Sequence, residues 1–202
     1  MRTIEFSHIL FLAFLSLNVW FNLKAQELNP KVKPEQYFLN FGSGGGTGGT
    51  MGAGFSILPA KNKGIHFGYR FITHDASNKP DDYHAGLCIF GNCQPQDYFH
   101  LATVAYKMMF NTRKERIKYG FETGPSLVFN NKAYFTPQTP GWFGSNYQIN
   151  RRIETTVGLN LRGVVDFNLL KRFGLEIAGF TNLNPERFIG GAELCLLLGK
   201  IR

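Results

Sequence analysis

Residues 152–167 read RIETTVGLNLRGVVDF, and their chemistry changes at every second position. Ile153 and Leu161 belong to one set of alternate positions, while Glu154, Arg162 and Asp166 belong to the other. Successive side chains of a β-strand point to opposite sides of the sheet. The stretch therefore predicts a strand with one apolar face and one ionic face.

The same alternation recurs along most of the chain. Apart from the first and last residue of each segment, we find no Asp, Glu, Lys or Arg on the apolar set of alternate positions. Segments of this length can cross a bilayer as strands, because about 9–11 tilted residues suffice. Eight segments carry the pattern: residues 36–44, 50–58, 64–74, 97–110, 116–130, 151–167, 172–182 and 187–200.

The connections between these segments alternate in length. Residues 59–63, 111–115 and 168–171 make short polar connections, whereas residues 75–96 and 131–150 make long ones. Short turns at one end and long loops at the other are typical of outer-membrane barrels.

The composition suits one all-β domain. The 202 residues include 23 Gly and 20 Phe, and only 18% of them are charged. An aromatic content of 15% argues against a disordered chain, and three cysteines are too few for a disulfide scaffold. The formal net charge is +8, but we see no basic helix or aromatic-basic platform that would predict nucleic-acid binding.

The N-terminus predicts export. Residues 8–23 contain no charged side chain, Arg2 precedes them, and a small residue, Ala25, precedes Gln26. This order is typical of a secretory signal peptide, with an uncleaved anchor helix as the alternative. We assign residues 1–25 to the signal peptide, residues 26–35 to a periplasmic arm and residues 36–202 to the barrel domain.

The ionic face predicts a charge network. Without the end residues of the segments it carries five basic and five acidic residues, and an unpaired buried charge is strongly destabilising. An eight-stranded barrel is just wide enough for its interior to be filled by side chains. We therefore predict a closed antiparallel up-and-down eight-stranded transmembrane β-barrel with a filled polar lumen, and no general diffusion pore. The lumen residues are Arg70, Lys107, Lys118, Glu122, Arg152, Glu154, Arg162, Asp166, Glu176 and Glu193.

With this pattern the chain resembles the small eight-stranded outer-membrane β-barrel family, the OmpX-like and OmpA N-terminal-like porin-family barrels. The resemblance covers residues 37–200. It implies a monomer among the lipids of a Gram-negative-type outer membrane, inserted by the barrel assembly machinery, with a structural, adhesive or host-contact role. Family members usually end in an aromatic residue, whereas the last aromatic residue here is Phe188 and the chain ends at Arg202.

The long loops hold the candidate binding residues. Cys88 and Cys93 could form a disulfide outside the cell, or join His84 and His100 in a zinc site. Exposed loop aromatics can anchor an extracellular ligand, or they can pack on each other. The loop aromatics are Tyr83, Phe90, Tyr134, Phe135, Trp142, Phe143 and Tyr147.

Enzymatic chemistry is not expected. A lipid A-modifying barrel enzyme needs a His beside a Ser, but Ala102 follows His100 on its face and Ser126 belongs to the opposite face. The glycine-rich residues 42–54 lack the Gly-Lys-Ser/Thr of a phosphate loop and predict a hairpin tip. We predict no metal and no cofactor.

One alternative remains open. A soluble secreted or periplasmic lipocalin-like barrel would turn the apolar face inward around a small apolar ligand and the ionic face toward water. Alternation alone does not say which face is inside. The many glycines and few charges of the polar face, with long loops at one end only, favour the membrane.

Overall fold

The computed structural model describes residues 36–60, 62–86, 94–112, 116–139 and 144–201. Each strand pairs antiparallel with its sequence neighbours, and the first of the eight strands pairs with the last, which closes the barrel. The predicted fold is confirmed. The strands are β1 Gln36–Gly46, β2 Gly49–Ala60, β3 Lys63–Asp75, β4 Gln96–Asn111, β5 Ile117–Pro137, β6 Tyr147–Phe167, β7 Phe173–Leu183 and β8 Phe188–Lys200.

The two ends of the barrel differ. We call the end with the connections β2–β3, β4–β5 and β6–β7 the turn end, and the opposite end the loop end. The assigned signal peptide (1–25) and arm (26–35) lie outside the described residues. Within the described part of the chain, no helix is long and apolar enough to span a membrane.

The loop predicted for residues 131–150 is wrong, because strands occupy most of it. The β5–β6 pairing continues from Asn131 opposite Ile153 to Pro137 opposite Tyr147. The β-favouring residues of this region extend the ladder past the barrel wall as a two-stranded hairpin. The hairpin projects from the loop end.

The hairpin leaves one strand edge open. β6 pairs with β7 only from Leu159 onward, opposite Leu183. In the described structure, residues 147–158 have a strand partner on the β5 side alone. An edge strand presents unpaired N–H and C=O groups at alternate residues, which is a template for another extended segment.

The apolar face points outward. Between the ends of the barrel, the outward-facing positions of the described strands contain no Asp, Glu, Lys or Arg. The lipocalin-like alternative is therefore wrong, because its apolar residues would fill the interior. The large exposed side chains include Tyr37, Phe41, Phe67, Tyr69, Val104, Ile177, Leu194, Leu196 and Leu198.

The outward-facing apolar side chains form a band around the barrel, which we call the apolar belt. Aromatic rings border this belt at both ends. Near the loop end, Phe71 lies 5.8 Å from Tyr98 and 5.1 Å from His100, measured between ring centroids. Near the turn end, Phe110 stacks on Tyr119 at 5.4 Å. Aromatic girdles at both interfaces are typical of membrane barrels.

Glycines close the seam between β1 and β8. A Cβ at Gly44 would lie 1.9 Å from the Ala192 carbonyl oxygen, and one at Gly46 would lie 2.2 Å from the Gly190 oxygen. Only glycine permits this backbone approach. The predicted hairpin tip at residues 42–54 is therefore mostly paired strand, with Thr47 and Gly48 between β1 and β2.

A lipid-facing charge should destabilise the barrel according to its depth. We expect Leu194→Arg, at the middle of β8, to lower the free energy of unfolding by about 2–4 kcal/mol. Leu198→Arg is the matched control near the turn end, with an expected cost of about 0–1 kcal/mol. Urea unfolding in lipid vesicles measures both, and equal costs would argue against a membrane around the belt.

Candidate functional site

Three neighbouring strands place a carboxylate between two cations in the lumen. Lys107 of β4 lies opposite Glu122 of β5, and Glu122 lies opposite Arg162 of β6. The Lys107 Nζ is 2.8 Å from Glu122 Oε1, and Arg162 Nη1 donates to both oxygens of Glu122 at 3.2 Å. The strand register alone therefore brings these three residues together.

A second carboxylate completes this cluster. Glu176 of β7 accepts from Arg162 Nη2 at 2.6 Å and from Lys107 Nζ at 3.3 Å. The Asn40 amide also donates to it, at 3.4 Å. The side chains of Lys107, Glu122 and Glu176 are fully buried, so each charge depends on the others for solvation. We call Lys107, Glu122, Arg162 and Glu176 the lumen cluster.

Toward the loop end, an arginine pairs with a further glutamate. Arg70 donates to Glu193 through Nε at 2.6 Å and through Nη2 at 3.1 Å. The Thr50 hydroxyl donates to the same carboxylate at 3.0 Å. The Arg70 guanidinium lies 4.1 Å from the centre of the Phe180 ring. Arg162 Nη2, 3.7 Å from Glu193 Oε2, links this pair to the lumen cluster.

Toward the turn end, Lys118 closes the interior. Its Nζ donates to Gln36 Oε1 at 3.1 Å and to the Ile201 carbonyl at 3.0 Å. In the ladder, Asp166 lies opposite both Lys118 and Glu176. Eight of the ten predicted lumen residues are thus buried inside the barrel, four of them basic and four acidic.

The structure places Arg152 and Glu154 elsewhere. Arg152 is exposed, and Glu154 keeps 29% of its side-chain surface accessible. Both residues belong to the part of β6 that projects past the wall, where there is no closed interior to hold them. The prediction ended β5 at Asn130. It therefore placed Arg152 and Glu154 at the level of the barrel wall, whereas they lie beyond its loop end.

One histidine of the lumen, His66, was not predicted from the sequence. His66 Nε2 lies 3.8 Å from Glu122 Oε2, and His66 Nδ1 is hydrogen-bonded to the Ser56 hydroxyl at 2.9 Å. A Cβ at Gly54 would lie 2.4 Å from the imidazole. The glycines that surround His66 on its face of the sheet were the available signal, because they leave room for the ring.

These side chains leave little free space. The cavity between Asn40, His66, Glu122 and Arg162 has a volume of about 20 Å³, enough for about one water molecule. Cys195 borders it, with its sulfur 3.4 Å from Arg162 Nη2. Chemically, the arrangement is an internal salt-bridge network in which the charged groups pair with one another.

A second site lies at the loop end, where three predicted aromatics meet. The Tyr83 ring is 5.6 Å from Phe135 and 6.4 Å from Tyr147, and the latter two are 6.2 Å apart. Tyr83 belongs to the β3–β4 loop, whereas Phe135 and Tyr147 belong to the hairpin. The aromatics therefore pack on each other and fasten the loop to the hairpin.

Hydrogen bonds reinforce this contact. The Tyr147 hydroxyl donates to Asp82 at 2.8 Å, and this bond to the carboxylate raises the pKa of Tyr147. The Asn146 amide donates to the Asp82 carbonyl at 2.7 Å and accepts from the His84 N–H at 2.8 Å. We call Asp82, Tyr83, Phe135, Asn146 and Tyr147 the loop brace.

Asp97 anchors the base of the same loop. It is buried, and it accepts from the backbone N–H and the hydroxyl of Ser77 at 3.0 and 2.9 Å. Its other oxygen accepts from the Ala133 N–H at 2.8 Å. A lone aspartate at the start of a predicted strand gave no sign of this role, because both partners are distant in sequence.

At the loop end, one lysine forms ion pairs with two glutamates. Lys132 contacts Glu154 at 2.6 Å and Glu186 at 3.0 Å. Partial burial opposes the charge of Lys132, but hydrogen bonds to the two carboxylates outweigh it and raise its pKa. The same bond to Lys132 lowers the pKa of Glu154. The Tyr134 hydroxyl donates to Glu154 at 3.3 Å, and Tyr134 is not one of the loop-brace residues defined above.

The remaining candidates are only partly described. Cys88, Cys93, Phe90, Trp142 and Phe143 lie outside the described residues, so the disulfide stays a prediction and the zinc set an alternative to it. His100 lies on the outer wall and its Nδ1 is 2.5 Å from the Tyr69 hydroxyl. Ser126 lies inside, where its hydroxyl accepts from the Asn182 amide, so it is on the opposite side of the wall from His100.

Solved structures share this architecture. The N-terminal β-barrel domain of Pseudomonas aeruginosa OprF has a TM-score of 0.55 at 8% identity, covering 82% of this chain and 98% of that domain. Neisserial surface protein A has a TM-score of 0.50 at 10% identity, with 81% and 94% covered. The attachment invasion locus protein Ail of Yersinia pestis has a TM-score of 0.50 at 7% identity, with 81% and 96% covered.

These likenesses identify the fold. No protein-family model and no curated protein sequence matches the chain. The chain has the fold of the small eight-stranded outer-membrane β-barrels, as the resemblance in its sequence predicted.

Removal of the central cation should destabilise the barrel strongly. Lys107→Met leaves two buried carboxylates with one partner fewer, and we expect it to lower the free energy of unfolding by about 3–5 kcal/mol. Adding Glu122→Gln removes one of those charges and should restore part of the loss. Urea unfolding measures both variants. The exposed control Arg152→Met should stay within about 0.5 kcal/mol of the wild type, and a double variant no better than Lys107→Met would contradict the network.

Loss of one brace contact should loosen the β3–β4 loop. Tyr147→Phe removes the bond to Asp82 and keeps the ring, at a cost of about 0.5–1.5 kcal/mol. We expect amides of residues 76–86 to exchange hydrogen about 2- to 12-fold faster, measured by mass spectrometry. Tyr134→Phe is the matched control, and a similar acceleration in that variant would argue against the brace.

Proposed function

We propose that the protein is an integral outer-membrane β-barrel that displays a binding surface at its loop end and has an adhesive or structural role. Residues 1–25 direct its export, and the barrel assembly machinery inserts it. It functions as a monomer among outer-membrane lipids of a Gram-negative-type bacterium. Nucleic acid is not a partner.

One observation carries the membrane assignment. The barrel turns its uncharged apolar face outward between two aromatic girdles and encloses its charges. In water this arrangement would expose a continuous apolar band. In a bilayer it places each type of side chain in a favourable surrounding, since a charge on the lipid side costs about 2–4 kcal/mol at mid-depth.

The filled lumen supports a role other than diffusion. The lumen cluster crosses the interior from β4 to β7, and its neighbour Arg70 pairs with Glu193. A general pore would need these buried ion pairs to separate, which would leave charges without partners. We infer that the protein acts through its surface.

The hairpin is the part best suited to binding. The loop brace fixes it against the β3–β4 loop, which limits the entropy that binding would cost. Its open edge, residues 147–158, offers backbone groups to an extended peptide, and Ile153 is 66% exposed beside that edge. This geometry favours the loop-mediated role.

An epitope-tag experiment tests location and orientation together. A tag inserted between Gln138 and Thr139, at the hairpin tip, should be labelled by antibody on intact cells. The matched tag between Thr112 and Arg113, at the turn end, should be labelled only after the outer membrane is permeabilised, because antibodies do not cross it.

Two further readouts accompany the tags. The untagged barrel should fractionate with the outer membrane, and its gel mobility should change on boiling. Planar bilayers containing it should show no large steady single-channel currents. A detergent-free soluble protein would reject the membrane assignment, and large steady currents would reject the closed lumen.

A further inference from the structure

The β6–β7 turn exposes two leucines where a polar turn is expected. Leu169 is 56% exposed and Leu170 is 65% exposed. The turn is ordered by a bond from the Leu170 N–H to the Phe173 carbonyl at 2.9 Å. Lys171 and Arg172 follow directly and are exposed as well. The turn end thus presents an apolar pair next to a basic pair.

Basic side chains continue around the turn end. Lys200 extends the outward-facing column of Leu198 and lies opposite Tyr37 in the ladder. Lys63 likewise extends the outward-facing column of Ile65 on β3. Both lysines therefore lie at the level where the apolar belt ends.

Among the described residues, the exposed charges at the turn end are all positive. The exposed ionic residues described there are Lys63, Arg116, Lys171, Arg172 and Lys200, all basic. The nearest described carboxylates, Asp166 and Glu176, are buried in the lumen. The loop end differs, because its exposed basic residues are accompanied by Asp75, Asp81 and Asp82.

We propose that the turn end is an anchor for anionic phospholipid headgroups, with Leu169 and Leu170 inserted among the acyl chains and Lys171, Arg172, Lys63 and Lys200 bound to the phosphates. The inference rests on the membrane insertion proposed above. Apolar side chains flanked by basic ones bind at the boundary between headgroups and acyl chains. A polar protein partner would match the basic residues but would leave the leucines in water.

The first test measures lipid preference. The barrel is reconstituted in vesicles that mix phosphatidylglycerol and phosphatidylcholine, and spin-labelled forms of each lipid report their affinity for the barrel surface. We expect a preference for phosphatidylglycerol, with a contribution of up to about fivefold from each basic residue at the surface. In about 1 M salt the preference should disappear, because the screening length falls to about 3 Å.

Matched variants locate this preference. Lys171→Gln/Arg172→Gln should remove most of it. Lys79→Gln/Arg152→Gln removes the same charge from the loop end and should leave it unchanged. Equal losses in the two variants, or no preference in the wild type, would overturn the anchor.

The second test measures the depth of the turn. In a Trp142→Phe background, the tryptophan fluorescence of the Leu170→Trp variant should be quenched by lipids brominated on their acyl chains. The control Lys79→Trp in the same background should not be quenched. If only aqueous quenchers reduced the fluorescence of the Leu170→Trp variant, the insertion would be overturned. It would also be overturned if a soluble protein bound the turn and protected the tryptophan from quenching.

The outcomes separate this inference from the proposed function. A chain that neither enters vesicles nor changes mobility on boiling would overturn both. A barrel that inserts normally but lacks the lipid preference would overturn the anchor alone.

Discussion

The shared ion pairs of Lys107, Glu122, Arg162 and Glu176 hold the interior of this barrel together. Among these four residues, each cation contacts both carboxylates, and each carboxylate contacts both cations. Charges with no access to water are stable only when such partners surround them. The four residues come from four consecutive strands, so the network requires correct pairing from β4 to β7. Closure of the barrel and neutralisation of its interior are therefore coupled.

The outer wall follows from the same closure. Once the ionic residues face inward, period-2 geometry directs their apolar neighbours outward along every strand. The wall then matches acyl chains, and the aromatic girdles mark its two borders. The seam between β1 and β8 depends on glycines such as Gly44, because any larger residue would collide with the backbone of the neighbouring strand.

The two ends of the barrel carry different chemistry. At the loop end, the hairpin extends the sheet beyond the wall, and the loop brace holds the β3–β4 loop against it. At the turn end, short connections keep basic residues and two leucines close to the membrane boundary. The proposed binding surface at one end and the proposed lipid anchor at the other suit a barrel whose interior is filled by ion pairs.

The sequence by itself determined the number of strands, the approximate bounds of all except β5 and β6, and the two faces of each strand, because alternation is a local property that no distant contact changes. It also identified eight of the lumen charges, since equal numbers of basic and acidic residues on one face of the strands can neutralise one another in an enclosed space.

Only the tertiary structure decided which face is inside, because alternation is identical for a membrane barrel and a soluble one. The tertiary structure also decided that Glu154 lies beyond the barrel wall, that Asp97 anchors the β3–β4 loop, and that Tyr83 packs on Tyr147. Those outcomes depend on strand register and on contacts between residues far apart in the chain, and neither is written in any short stretch of sequence.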